Sequence, residues 1–305
     1  MHNSKSSFQN VKKKYLRFLK SQEVLSEPFR DKLGQLKKFY IPIGNSIYKI
    51  YENEKITKVI GITGGQGSGK STISNILKIV LKEYFNLETV IFSIDDFYKT
   101  FKDRKKMSKK ISPLFLTRGV PGTHETKLLY NCIKSLKKKN FKKITIPKFD
   151  KSIDDRSPKN KWQKIKKKPN IVIFEGWCVG VKPQKNKDLL VPINTLEKVN
   201  DKKKIWRTRV NQELKNQYKK IFNLIDVSIF LKVPSFKHVY KWRLLQEKKL
   251  KAASKGKKIM NSKQIKKFIM YYERLTKHML KNLSHQSDIL IKIDEKHKLK
   301  SLKLN

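Results

Sequence analysis

Cysteine occurs only twice in 305 residues, at Cys132 and Cys178, far apart and with no Cys-x-x-Cys partner. That excludes a disulfide framework and a thiolate zinc site, and it suits a reducing compartment such as the cytoplasm. No apolar run approaches the roughly 18 residues of a membrane helix. The N-terminal segment has no apolar core of the secretory kind. Acidic residues are scarce, 25 against 73 basic ones, for a net charge of +48. A field of that size attracts nucleic acid or acidic membranes in general. Arginine is scarce too, however, with nine among the 73 basic residues. The lysines run through the whole chain, as at 12–14, 137–139, 166–168 and 202–204. A dedicated nucleic-acid surface clusters its charge and uses the planar fork of Arg. The charge is therefore read as lysine on solvated faces, and no specific nucleic-acid partner is expected. Where Lys is the default cation, a retained Arg marks a need for two-pronged hydrogen bonding. Arg118, Arg156 and Arg243 all fall in motif-like segments.

The strongest motif is Gly64-Gly65-Gln66-Gly67-Ser68-Gly69-Lys70-Ser71, which reads G-x-x-x-x-G-K-S. An apolar run, Lys58–Thr63, precedes it as a buried strand, and Thr72–Leu81 follows with apolar residues at helical spacing. Strand, glycine loop and helix form the context this motif requires. The loop amides and the helix N-terminus would cradle phosphate, with Gly64, Gly65, Gln66, Gly67, Ser68, Gly69 and Thr72 lining it. Lys70 would reach the outer phosphates and the Ser71 hydroxyl would bind Mg²⁺. ATP with Mg²⁺ is the cofactor expected.

Residues 1–55 read as a helical N-terminal extension. They are acid-free until Glu23, with Phe8, Val11, Tyr15 and Phe18 at helical spacing, and end in a turn-like Ile41-Pro42-Ile43-Gly44-Asn45. A kinase domain is expected over 56–298. Its strands are predicted at Val59–Thr63, Thr89–Asp95, Lys143–Pro147, Ile171–Glu175, Asp226–Val233 and Asp288–Ile293. Helical patterns between most of them argue for an α/β three-layer sandwich around a mostly parallel sheet. Residues 235–260 read as a charged helix interrupted at Gly256, a candidate helical lid, with a second helix over Ser262–Leu283.

Asp95 and Asp96 close the second strand, and Glu175 closes the fourth. In an open α/β sheet the carboxyl ends of the strands line the ligand crevice. An acid there can accept a proton from a substrate hydroxyl, and Glu175 holds the place of a metal-organising acid. The rival reading of Asp95-Asp96 is a pair of helix-capping acids.

Together, the phosphate loop, Asp95-Asp96-Phe97-Tyr98 and Glu175-Gly176 resemble the phosphoribulokinase/uridine kinase/pantothenate kinase group. Four further segments, Arg118–His124, Pro147–Ser152, Phe174–Gly180 and Val239–Glu247, resemble the D-glycerate 3-kinase family of plants, fungi and cyanobacteria. The likeness runs from about Tyr40 to Asp294. The chain departs from that family at Glu125, where Asp is usual, and in having only Ile153-Asp154 ahead of Asp155-Arg156. The resemblance implies a P-loop kinase moving the γ-phosphoryl of ATP to D-glycerate, a reaction that serves photorespiration in photosynthetic organisms. It implies Asp95 as general base, with Lys70, Glu175 and Arg243 as the other catalytic groups. Asp96, Tyr98, Arg118, His124, Lys151 and Arg156 would bind the acceptor. The rival for Arg243 is a surface ion pair with Glu247 at i+4. A kinase for another small acceptor, such as uridine or pantothenate, a nucleic-acid-stimulated ATPase and a regulator without turnover remain the alternatives.

Overall fold

The computed structural model describes residues 4–23, 29–253 and 260–305. Its framework is a six-stranded sheet: β1 (Lys58–Gly64), β2 (Thr89–Ser93), β3 (Ile171–Gly176), β4 (Val227–Lys232), β5 (Ile289–Ile293) and β6 (Leu299–Leu304). The spatial order is β6-β5-β4-β1-β3-β2. Every neighbouring pair is parallel except β5 with β6. The helices that matter below are α1 (Ser4–Gln22), α2 (Ile41–Glu54), α3 (Lys70–Phe85), α4 (Phe101–Lys110), α5 (Thr126–Lys137), α6 (Phe236–Ala253) and α7 (Ser262–Asn282).

Side chains alternate across a strand, so the two faces of β1 feed two cores. Ile60 and Ile62 join Ile173 and Ile229 on the face covered by α1, α2 and α3. Val59 joins Val172, Phe174 and Phe230 on the opposite face, under α5 and α7. All seven residues of β1 are buried, which is why this central strand reads as one continuous apolar run. Burial of each such side chain contributes about 1.5–3 kcal/mol. The N-terminal extension shares the first core, for Val11, Tyr15 and Leu19 of α1 are all at most 2% exposed. A lysine-rich helix is thereby held by one narrow apolar stripe.

Three local expectations are corrected. Ile41–Asn45 is not a turn but the start of α2, with Pro42 in its first turn. A π-helical turn over Leu36–Tyr40 runs straight into it, its last bond passing from the Ile41 N–H to the Leu36 carbonyl, and that wider turn accommodates a residue without an N–H. The segment around Ile144–Ile146 does not join the main sheet. It pairs antiparallel with Gln163–Ile165 in a separate ribbon. The strand predicted to reach Asp95 ends at Ser93, where the Ser93 hydroxyl accepts the Asp95 N–H and starts a 3₁₀ turn over Ile94–Phe97. The antiparallel edge strand β6 was not foreseen. Gly256, expected to break the lid helix, lies outside the described residues.

Candidate active site

Register places the chemistry. Glu175 of β3 sits beside Ile62 of β1 on one side and Ser93 of β2 on the other. The phosphate loop begins two residues beyond Ile62 and Asp95 stands two residues beyond Ser93, so loop and both acids open into one crevice. Gly67 and Gly69 have φ of 77° and 84°, the left-handed region that glycine enters at little cost. A Cβ on Gly67 would lie 2.8 Å from Cβ of Trp242. Helix α6 therefore rests directly on the phosphate loop. The His297 ring, 3.7 Å from that of Trp242, reaches the Gly67 carbonyl through Nε2 at 2.9 Å.

Lys70 curls back on its own loop, donating to the Gly64 and Gly65 carbonyls at 3.0 and 3.1 Å. Burial pulls its ammonium below the ordinary value, opposed by Glu175 and Asp95. Ser71 donates to Glu175 Oε1 at 3.1 Å. Burial raises the Glu175 carboxyl, with Lys70 opposing it. Lys151 donates to Asp95 Oδ2 at 2.7 Å and Tyr98 donates to Asp95 Oδ1 at 2.7 Å. Burial alone would raise Asp95, but the Lys151 charge and both hydrogen bonds override it and hold the carboxyl at about 2. Asp95 is thus an ionised acceptor aimed into the crevice.

The remaining residues divide by what they touch. Asp96 accepts the Ser93 N–H at 3.1 Å and pairs with Lys148 at 3.4 Å, so it closes a capping box. Arg118 is ion-paired with Asp154 and stacks over Phe149 at 5.5 Å. Arg156 donates to the Tyr98 carbonyl at 3.0 Å and lies 3.8 Å from Glu125. His124 is 1% exposed and stacks on Tyr98 with ring centroids 4.6 Å apart. Four buried atoms of the candidate residues, Gln66 Oε1, Ser68 Oγ, His124 Nε2 and Arg156 Nε, have no hydrogen-bond partner. Buried polar groups are mostly paired, so these are the atoms of the site with hydrogen-bonding capacity left for a ligand. Arg243 does form the i+4 ion pair with Glu247, at 2.6 Å, but both side chains are at least four-fifths buried. A solvated surface pair is therefore excluded.

Sequence reasoning missed two contributors, Tyr272 and Arg104. Tyr272 of α7 donates to the Arg118 carbonyl at 3.0 Å, and Gly119, at φ 135°, has no room for a Cβ against its hydroxyl. Trp177 holds the same loop by donating to the Gly119 carbonyl at 2.9 Å. Arg104 of α4, fully buried, donates to the Leu116 and Asp154 carbonyls at 2.7 Å each and so ties the Arg118 loop to Asp154. The only advance signal was the rarity of Arg, which marks Arg104 as it marks Arg118.

A phosphate loop at the carboxyl end of a parallel sheet, with two strand-end acids beside it, defines a P-loop kinase of small molecules. Residues 59–213 match the phosphoribulokinase / uridine kinase family, and the chain belongs to it. It is an ATP-dependent small-molecule kinase. An uncharacterized kinase of Schizosaccharomyces pombe, mug58, is 35% identical over 70% of this chain and 78% of its own length. The chloroplastic D-glycerate 3-kinase of Arabidopsis thaliana is 28% identical over 70% of this chain, which spans less than half, 46%, of that protein. The solved D-glycerate 3-kinase of Cryptococcus neoformans superposes with a TM-score of 0.73 at 24% identity, over 87% of this chain and 97% of that one. At that identity the superposition speaks to the fold. Among the described residues no helix is long and apolar enough to cross a membrane.

Proposed function

We propose that this kinase transfers the γ-phosphoryl of ATP to the primary hydroxyl of D-glycerate, giving 3-phosphoglycerate. The observation that carries the reading is the ionised Asp95 paired with Lys151, in a crevice that also receives Arg118 and Arg156. A small anionic acceptor needs fixed cationic donors for its carboxylate and an ionised oxygen acceptor for its hydroxyl proton. A nucleoside brings no carboxylate to meet those cations. The chloroplastic relative's name agrees with this assignment.

In this reading Lys70 and the loop amides hold the phosphates. Asp95 orients the attacking hydroxyl and accepts its proton, while Arg118, Lys151 and Arg156 grip the carboxylate. Ser71 and Glu175, two hard oxygen donors 3.1 Å apart beside the loop, suit Mg²⁺. When bound there, Mg²⁺ would neutralise charge on the phosphate oxygens. Arg243 lies on the helix that covers the loop and reaches the transferring phosphoryl once it leaves Glu247. Arg243→Ala should lower the single-turnover rate roughly 10–100-fold, the worth of one charge-assisted hydrogen bond. An unchanged rate would leave it a brace for Glu247 alone. The buried, unpaired thiols of Cys132 and Cys178 suit the reducing cytoplasm, to which we assign the chain.

The test is ADP release from Mg-ATP with D-glycerate, L-glycerate, uridine, pantothenate and single-stranded DNA in parallel, at about 0.2 M salt to screen bulk charge. Stimulation by D-glycerate alone is expected. Stimulation by uridine or pantothenate reassigns the acceptor, and stimulation by DNA alone would mean that the charge carries the function.

A further inference from the structure

The two ring nitrogens of His124 are not equivalent. Nδ1 lies 2.5 Å from the hydroxyl of Tyr218, a fully buried side chain. That hydroxyl oxygen accepts the Gly122 N–H at 3.0 Å, and the backbone amide of His124 bears on it in the same sense. A phenol has one proton to give. With the Gly122 N–H on its oxygen, the hydroxyl turns its own proton to the ring nitrogen 2.5 Å away, Nδ1. The ring proton therefore sits on Nε2. Burial, aided by the Lys99 ammonium, drives the imidazole down to about 3 against the pull of Asp95, so the ring is neutral.

His124 Nε2 is buried and has no hydrogen-bond partner. The edge that carries it is opposite the one held by Tyr218. The ring lies flat on Tyr98, whose hydroxyl donates to Asp95, and His124 and Asp95 are close enough to shift each other's charge. A buried N–H left unpaired costs about 1–3 kcal/mol, so a bound acceptor oxygen stabilises this arrangement. A neutral donor beside the general base neither competes for the substrate proton nor duplicates the cations that meet the carboxylate.

We infer that His124, fixed by Tyr218 as the Nε2–H tautomer, donates to the hydroxyl next to the one phosphorylated and so selects 2-hydroxy acids. This rests on the D-glycerate reading. His124 is a specificity-determining residue, Tyr218 a positioning residue, and neither is a proton acceptor for the reaction.

The experiment compares kcat/KM for D-glycerate and for 3-hydroxypropionate, the same acid without the second hydroxyl. The wild type should favour D-glycerate by roughly 10–100-fold through this donor. His124→Phe should collapse that preference, His124→Gln should restore part of it through an amide N–H, and Tyr218→Phe should fall between. Imidazole ¹⁵N spectra of the wild type should show the neutral Nε2–H form from about pH 5 to 8. This measurement needs no variant to fold. Undiminished preference in His124→Phe, a protonated Nδ1 or an imidazolium would each overturn the inference. A wild type inert toward D-glycerate sinks the substrate reading, and this inference with it; the tautomer spectrum separates that failure from an error about His124.

Discussion

Asp95→Asn is expected to lower kcat by about 10²–10⁴-fold, the usual worth of a positioned general base. The ATP KM should stay nearly unchanged. The two side chains have the same shape, and Tyr98 can still donate to the amide oxygen, as it now does to Asp95 Oδ1 at 2.7 Å. What is lost is the oxygen able to take the hydroxyl proton. Lys70, the proposed phosphate-holding group, donates to the Gly64 and Gly65 carbonyls and makes no hydrogen bond to Asp95. Unaltered turnover would refute the assignment. The pH profile gives a second, independent reading. Asp95 is held at about 2, so it stays ionised throughout the working range and places no acid limb on kcat/KM. Lys151→Met removes the ammonium that lies 2.7 Å away. Burial then acts with less opposition and raises the carboxyl. A group that works when ionised loses activity as pH falls through its pKa, so the variant should gain an acid limb that the wild type lacks. The same profile in both would place the base elsewhere.

The parts of this molecule that were readable in advance are those written in contiguous residues. The phosphate loop is one such part, because strand, glycines and helix follow one another over Lys58–Phe85. The buried strands are others, because a strand covered on both faces must be apolar throughout. The edge strand β6 was not, since Leu299-Lys300-Ser301-Leu302-Lys303-Leu304 carries the lysines that keep an edge from pairing with other chains. The Ile144–Ile146 strand was readable as a strand, but its partner is a tertiary choice. The site divides in the same way. Glu175 could be proposed because it closes an apolar strand, and Asp95 because it follows one, two residues past the strand end at Ser93. The Lys151 contact that sets the charge state of Asp95 crosses 56 residues. Tyr218 and Tyr272 reach the Arg118–His124 loop from later helical segments, and neither stands in a motif. Arginine rarity carried across that gap, yet it marks two kinds of place. Arg118, Arg156 and Arg243 are the proposed crevice residues, whereas Arg104, Arg207 and Arg274 are buried and tie backbone carbonyls, Arg104 doing so behind the Arg118 loop.

The last of these gives the largest effect on stability. Arg274 of α7 donates to Glu197 through Nε and Nη2, at 2.7 and 2.6 Å, and to the Asp188 and Val191 carbonyls at 2.7 Å each. Glu197 is fully buried and Arg274 is 7% exposed. Removing one partner strands the other charge out of water, which costs about 3–5 kcal/mol. Glu197→Ala should therefore lower Tm by on the order of 5–15 °C in a chain of this size. Arg274→Lys should also destabilise, because an ammonium keeps the charge but cannot span both carboxylate oxygens and two carbonyls. Replacing both residues together with Met and Leu should recover most of the loss, since a buried ion pair of this kind adds little net stability over packed apolar groups. A Glu197→Ala variant melting with the wild type would show that the pair is hydrated and not buried. The effect should reach the crevice as well. Arg274 sits two residues beyond Tyr272, whose hydroxyl holds the Arg118 carbonyl at 3.0 Å. Loosening α7 where it holds Glu197 should raise the acceptor KM before it changes the ATP KM, if the Arg118 loop forms the acceptor side as proposed. An ATP KM that rises first would mean that α7 acts through the helix above the phosphate loop instead.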